Sequence, residues 1–262
     1  MLLDDEATWP SEVVRFIGTN EELFDDWHGP TSEASVRDRR PGDHDDRHRF
    51  TARQYDRAIL ELAVLLKPYT LSPGYHCTRL TDSEIAGILR SGMQLQNGTL
   101  LRGRIRALEQ DDLISPEIAR SLSSTNQADD SNRAGKIWFC FFPPKLAGEN
   151  GIGRFFRHWG GEALYNSHED DSVTSPILRR LGTPAVIEAD VPIASLNTHS
   201  FLSTKIVRRY FVNRGGEIRE GIEHAGYSVY SLPAQAIRRI IRFPDSEFIN
   251  LTQCNTWRTT LT

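Results

Sequence analysis

Cysteine is scarce in this chain. Cys77, Cys140 and Cys254 are the only three, far apart and odd in number, which excludes a disulfide framework and a Cys-x-x-Cys metal pair and points to a reducing compartment. Long apolar runs are missing as well, none approaching the roughly 20 residues of a membrane-spanning helix. The opening Met-Leu-Leu-Asp-Asp-Glu has neither the basic start nor the apolar centre of a signal peptide. There is no cationic excess, the formal net charge being −4, so the chain as a whole has no general attraction for nucleic acid. A Gly-x-x-x-x-Gly-Lys-Ser phosphate loop is absent, and Gly148-x-x-Gly151-x-Gly153 reverses the dinucleotide-binding spacing and follows Pro143-Pro144 instead of a strand. These absences lead to the expectation of a cytoplasmic protein with no metal and no membrane contact.

What is present suits a folded chain. With 262 residues, 39% hydrophobic and 25% charged, it can bury a real core as one large domain with an extension. Residues 1–50 read as a partly ordered arm, because the mixed-charge run Arg37 to Arg49 has little apolar material, although Trp9, Phe16, Phe24 and Trp27 are spaced to pack back. Residues 51–262 are then the domain. Ala58, Ile59, Leu62, Ala63 and Leu66 make an amphipathic helix from Thr51 to Lys67, stopped by Pro68. Leu100 to Leu122 reads as a helical insertion, and Ser123 to Gly135 as a polar loop that is either a plain connection or a mobile cover over a site.

The most strongly specified stretch is Gly74 to Met93. It reads as a short strand delivering His76 into a cleft, followed at once by a helix. Thr81 and Glu84 have capping-box spacing and Leu80 with Ile85 can form a hydrophobic staple. Ile85, Ile88 and Leu89 give an apolar stripe, and Gly92 stands where a C-cap is wanted. Further on, Ile137 to Phe142 is a buried strand. In Gly148 to Tyr165, Ile152, Phe155, Phe156 and Trp159 mark one helix face and His158, Glu162 and Tyr165 another, with Gly160-Gly161 interrupting at a cost of roughly 1 kcal/mol each relative to Ala. Pro184 to Pro192 alternates as a strand. Lys205 to Arg219 interleaves Arg208 and Arg209 with Tyr210 and Phe211, a pattern that suits phosphate contact and base stacking or, equally plainly, a solvated helix face.

Tyr75-His76-Cys77-Thr78-Arg79 followed by Ile-Leu-x-Ser-Gly resembles the first signature of the ADP-ribosyltransferase superfamily, in the branch of the poly-ADP-ribose polymerases and diphtheria-type toxins. Ile137-Trp-Phe-Cys and Gly226-Tyr-Ser-Val-Tyr through Arg242-Phe243 are similar to later signatures of that branch, in the same order. The resemblance implies an α+β fold with a split two-sheet ADP-ribosyltransferase-like core, here preceded by a helical N-terminal extension. It implies NAD as co-substrate, held by His76, Cys77 and Thr78, with Tyr165 stacking on nicotinamide (Phe155 or Phe156 as rivals) and Arg154 and Arg157 facing the pyrophosphate. The family's catalytic Glu is replaced by Gly226, so Glu162 or Glu223 is the expected acid, which would stabilise the oxocarbenium-like state of NAD cleavage.

The function implied is mono-ADP-ribosylation of a macromolecule, RNA, DNA or protein, bound at Arg208, Arg209 and Tyr210, as in toxins of toxin–antitoxin pairs or phage-defence effectors. An antitoxin is then a further possible partner. An NAD glycohydrolase and an inactive nucleotide- or partner-binding member are the alternatives. A Cys-His hydrolase of Cys77 with His158 is a weaker one, since Cys77 has no helix N-terminus to activate its thiol.

Overall fold

The computed structural model describes residues 1–28, 46–197, 199–216, 218 and 221–261, with 46–50, 199 and 200 as backbone only. Expectations for residues 37–45 and Arg219 lie outside the described residues. The chain divides into two compact units, residues 1–72 with 192–226, and residues 73–191 with 227–262.

The first unit is helical. Helices α1 (Ser11–Thr19) and α2 (Glu21–His28) pack with α3 (Asp46–Leu66) and α10 (His199–Asn213). The apolar stripe Ala58, Ile59, Leu62, Ala63, Leu66 is buried throughout, as are Val13, Ile17 and Phe24 opposite it. Each large aliphatic or aromatic side chain so removed from water contributes about 1.5–3 kcal/mol. Trp27 stacks on Tyr55 with ring centroids 4.7 Å apart. Residues 1–28 are thus regular helix and core, more than the charge-rich composition of 1–50 suggested.

The second unit is α+β. Strands β1 (Thr70–Leu80), β2 (Ile137–Cys140), β3 (Thr183–Pro192), β4 (Ala225–Ser228) and β5 (Ile237–Arg242) are ordered β4-β2-β1-β3-β5. β1 pairs antiparallel with β2, Tyr75 opposite Cys140, and β3 pairs antiparallel with β5. The strands form one sheet where two were expected, because the long β1 lies between β2 and β3 and joins both halves.

Helix α4 (Asp82–Ser91) has the predicted capping box, Thr81 accepting from the Glu84 amide and Glu84 from the Thr81 amide. Gly92 adopts φ 80°, and a Cβ there would lie 1.9 Å from the Leu232 carbonyl oxygen, so the position admits only glycine. The apolar stripe is narrower than expected: Ile85 and Ile88 are half-buried, but Leu89 is 53% exposed.

The expected insertion is a helix pair, α5 (Gly98–Gln110) and α6 (Pro116–Ser124). The glycine pair splits the next helical stretch into α7 (Gly148–Arg157) and α8 (Glu162–His168). Helix α9 (Thr174–Arg180) joins α5 and α6 in a core around Trp159, Leu164 and Leu178. The final helix, α11 (Ser246–Thr252), packs with α7 through Phe156 and Phe248. Among the described residues no helix is long and apolar enough to cross a membrane.

Candidate active site

Strand alternation sends His76 and Thr78 to one face of β1 and Tyr75 and Cys77 to the other. His76 is half-buried beside Phe139, and its Nδ1 lies 2.8 Å from the Trp138 carbonyl oxygen. A carbonyl only accepts, so Nδ1 carries the proton and, in the neutral ring, Nε2 is the acceptor. Burial lowers the His76 pKa; the Trp138 hydrogen bond opposes that shift and the positive charge of Arg104 adds to it.

Cys77 joins the apolar cluster of Ile152, Phe156 and Phe248. Burial raises its thiol well above the ordinary range and raises Cys140 to about 11. Neither thiol is therefore a ready nucleophile, which weighs against the Cys-His hydrolase. Arg79, also buried, donates from Nε to the Leu181 carbonyl at 2.7 Å and from Nη1 to the Phe156 carbonyl at 3.0 Å, closing the end of α7.

Glu84 belongs to more than the cap. Its carboxylate also accepts from Arg104 Nε at 2.6 Å and from Trp159 Nε1 at 2.9 Å. Burial alone would raise its pKa, but the Arg104 charge and the bonds from Thr81, Arg104 and Trp159 outweigh that and lower it. Trp159 is fully buried, lies under the Arg104 guanidinium at 4.6 Å, and donates its backbone amide to Leu178. This anchored Trp immediately precedes Gly160 (φ 85°) and Gly161 (φ 59°), which turn the chain so that Glu162 opens α8. A Cβ at Gly160 would meet Leu164 at 2.4 Å. One carboxylate therefore ties the helix after the His strand to the turn that places Glu162.

Glu162 is 44% exposed in its side chain and pairs with Arg133 at 3.3 Å. The Tyr165 hydroxyl donates to it as well; burial and the Glu162 charge raise the Tyr165 pKa. Arg154 lies 4.0 Å over the Tyr165 ring and binds Glu169 and Asn166. Glu162, Tyr165 and Arg154 are thus brought together. Tyr165 is buried, however, with Phe155 and His158 against its ring, so nicotinamide stacking would require it to be uncovered.

Arg157 stands apart from this group. It binds Glu149, whose carboxylate also accepts from the Arg258 and Thr259 amides, and it donates to the Thr259 carbonyl, so it anchors the C-terminal segment. Glu188 is buried and doubly bonded by Arg239 at 2.6 and 3.0 Å.

The remaining expected site residues belong to the first unit. Glu223 lies near Lys205, which donates to the Gly221 carbonyl. Tyr210 is buried with Arg214 3.3 Å over its ring and so is not an open stacking platform, while Arg208 lies close enough to Tyr55 and His28 for its charge to act on both.

Two cations were missed by sequence reasoning. Arg104 was hidden in an insertion with no clear period, and Arg133 is the one basic residue in a polar loop 29 positions before its partner Glu162. Comparison with protein-family models, with curated proteins and with solved structures yields no match.

Proposed function

We propose that this protein is an NAD-dependent mono-ADP-ribosyltransferase acting on a macromolecule, with the toxin or defence role that such an activity serves in a cytoplasm. The observation that carries the reading is the sharing of Glu84 between the cap of α4 and Trp159, which couples the His76 strand to the Glu162 turn. On this reading the single sheet is a fused form of the split ADP-ribosyltransferase core.

His76 Nε2 accepts from a ribose hydroxyl of NAD and Thr78 supplies a hydroxyl beside it. Glu162, held by its salt bridge to Arg133, stabilises positive charge on the ribose as the bond to nicotinamide breaks, and so replaces the acid that Gly226 cannot provide. Arg154, over the Tyr165 ring, is the expected pyrophosphate cation that stays with this group, whereas Arg157 is committed to the C-terminal segment. Gly226 also favours a second reading, an inactive member that binds nucleotide without cleaving it. Incubation with NAD labelled in the adenylate separates the outcomes: label on protein or nucleic acid supports transfer, free ADP-ribose indicates a glycohydrolase, and unchanged NAD refutes both activities.

A further inference from the structure

Residues 125–135 form a polar connection that is held at many points. The Gln127 amide donates to the Ala163 carbonyl at 2.9 Å, and Asn166 Nδ2 donates to Gln127 Oε1 at 3.0 Å, so the loop is stapled to α8. Asp129 accepts from the Gly98 amide at 2.7 Å and thereby also fixes the start of α5. The Gly135 amide reaches the Gln96 carbonyl at 2.8 Å, and Lys136 Nζ the Ser131 carbonyl at 2.8 Å. This is a scaffold, not a cover, and what it carries is Arg133.

The Arg133 side chain is only 17% exposed. Its Nη1 donates to Asp130 at 3.1 Å, while its Nε lies 3.3 Å from Glu162 Oε2 as an ion pair that lacks hydrogen-bond geometry. A planar guanidinium can address both carboxylates from separate edges, which an ammonium cannot. Glu162 stands on the first turn of a short helix with its side chain nearly half exposed, so the groups that touch its carboxylate, Arg133 and the Tyr165 hydroxyl, bear on which rotamer it keeps.

We propose that Arg133 is the positioning residue for Glu162, fixing the direction of the carboxylate from a loop that is itself immobilised on α8 and α5. This rests on the reading of Glu162 as the group that stabilises NAD cleavage. Asp130 holds the guanidinium, Arg133 acts on the carboxylate through its charge, and the Tyr165 hydroxyl adds a hydrogen bond to the same carboxylate. A misdirected catalytic group costs about a hundredfold in rate, and the loss falls on turnover because Arg133 is not required to touch NAD.

The test is a double-mutant cycle on NAD cleavage. Arg133→Gln is expected to lower kcat by about a hundredfold with KM for NAD changed less than about threefold, and to cause almost no further loss in a Glu162→Gln background, because residues acting as one unit are not additive. Arg133→Lys should recover only part of the rate, since it cannot hold Asp130 and Glu162 together. Free guanidinium ion should restore part of the rate to Arg133→Ala. Additive losses in the cycle, or an unchanged kcat in Arg133→Gln, overturn the proposal. If Arg133→Gln fails to fold, the Arg133→Lys cycle is read by the same criterion. A wild-type protein without NAD cleavage removes the enzymatic reading and this inference with it, whereas an active wild type with an additive cycle removes this inference alone.

Discussion

Lowering the pH from 7 to 5 should destabilise the protein through its histidines before any carboxylate is protonated to a comparable extent. His28, His158 and His224 are each lowered from 6.5 to about 4, chiefly by burial, with the charges of Arg208, Arg179 and Lys205 respectively acting in the same sense. The unfolded chain binds a proton at each of these positions once the pH falls below 6.5, while the folded chain resists until about 4, so the unfolded state holds more protons across this window and stability falls as the pH falls. For one such residue the loss between pH 7 and 5 is about 2 kcal/mol. His28 and His224 lie in the first unit and His158 in the second, so both units should lose stability as the pH falls.

Urea unfolding followed by circular dichroism at pH 7, 6 and 5 measures this directly. His158→Gln, which keeps a polar group at a site 2% exposed, should remove about 2 kcal/mol of the pH difference. His224→Gln should do the same for the unit that contains it. Urea midpoints that coincide at pH 7 and 5, or a His158→Gln protein that keeps the entire drop, would refute the burial argument.

Other consequences can be measured alongside. Glu162→Gln should lower NAD turnover by at least about a hundredfold, the scale of one preorganised electrostatic group, and Glu223→Gln should leave it within a few-fold; the reverse order in a nicotinamide-release assay would transfer the acid role to Glu223. Arg79→Met leaves the Leu181 and Phe156 carbonyls without their donor and should cost about 2–3 kcal/mol in thermal or urea unfolding, an unchanged midpoint contradicting the capping role. Arg208→Ala with Arg209→Ala should weaken acceptor modification and flatten its salt dependence while hydrolysis of NAD by water persists, since the salt slope falls by about one for each cation taken off the phosphates; modification that is insensitive to the pair would leave the stretch as helix surface.

Local rules made much of the fold legible in the sequence. The capping box at Thr81 and Glu84, the stripe of α3 and the break at Gly160-Gly161 each depend on residues within a turn or two, and each can be read at that range. The single sheet could not, because whether β1 joins two halves or ends one of them depends on strand neighbours more than sixty positions away. Glu162 and Tyr165 stood out by helical spacing, yet Arg133 did not, since nothing in a Ser-, Asn- and Asp-rich loop announces which carboxylate its one cation will meet. Tyr210 illustrates the converse: interleaved aromatics and cations suit a binding face or a solvated one, and their spacing does not show that this ring is buried with Arg214 over it.

The division of the chain has a consequence for synthesis. The first unit is made from residues 1–72 and 192–226, with the whole 73–191 stretch of the second between them. On a ribosome adding about 5–20 residues per second, α1, α2 and α3 emerge well before α10, so the part of α3 that α10 packs against stays uncovered for several seconds. Folding of this protein is therefore not N-terminal first, and a truncation that stops at residue 191 should leave the early helices exposed and prone to aggregate during expression.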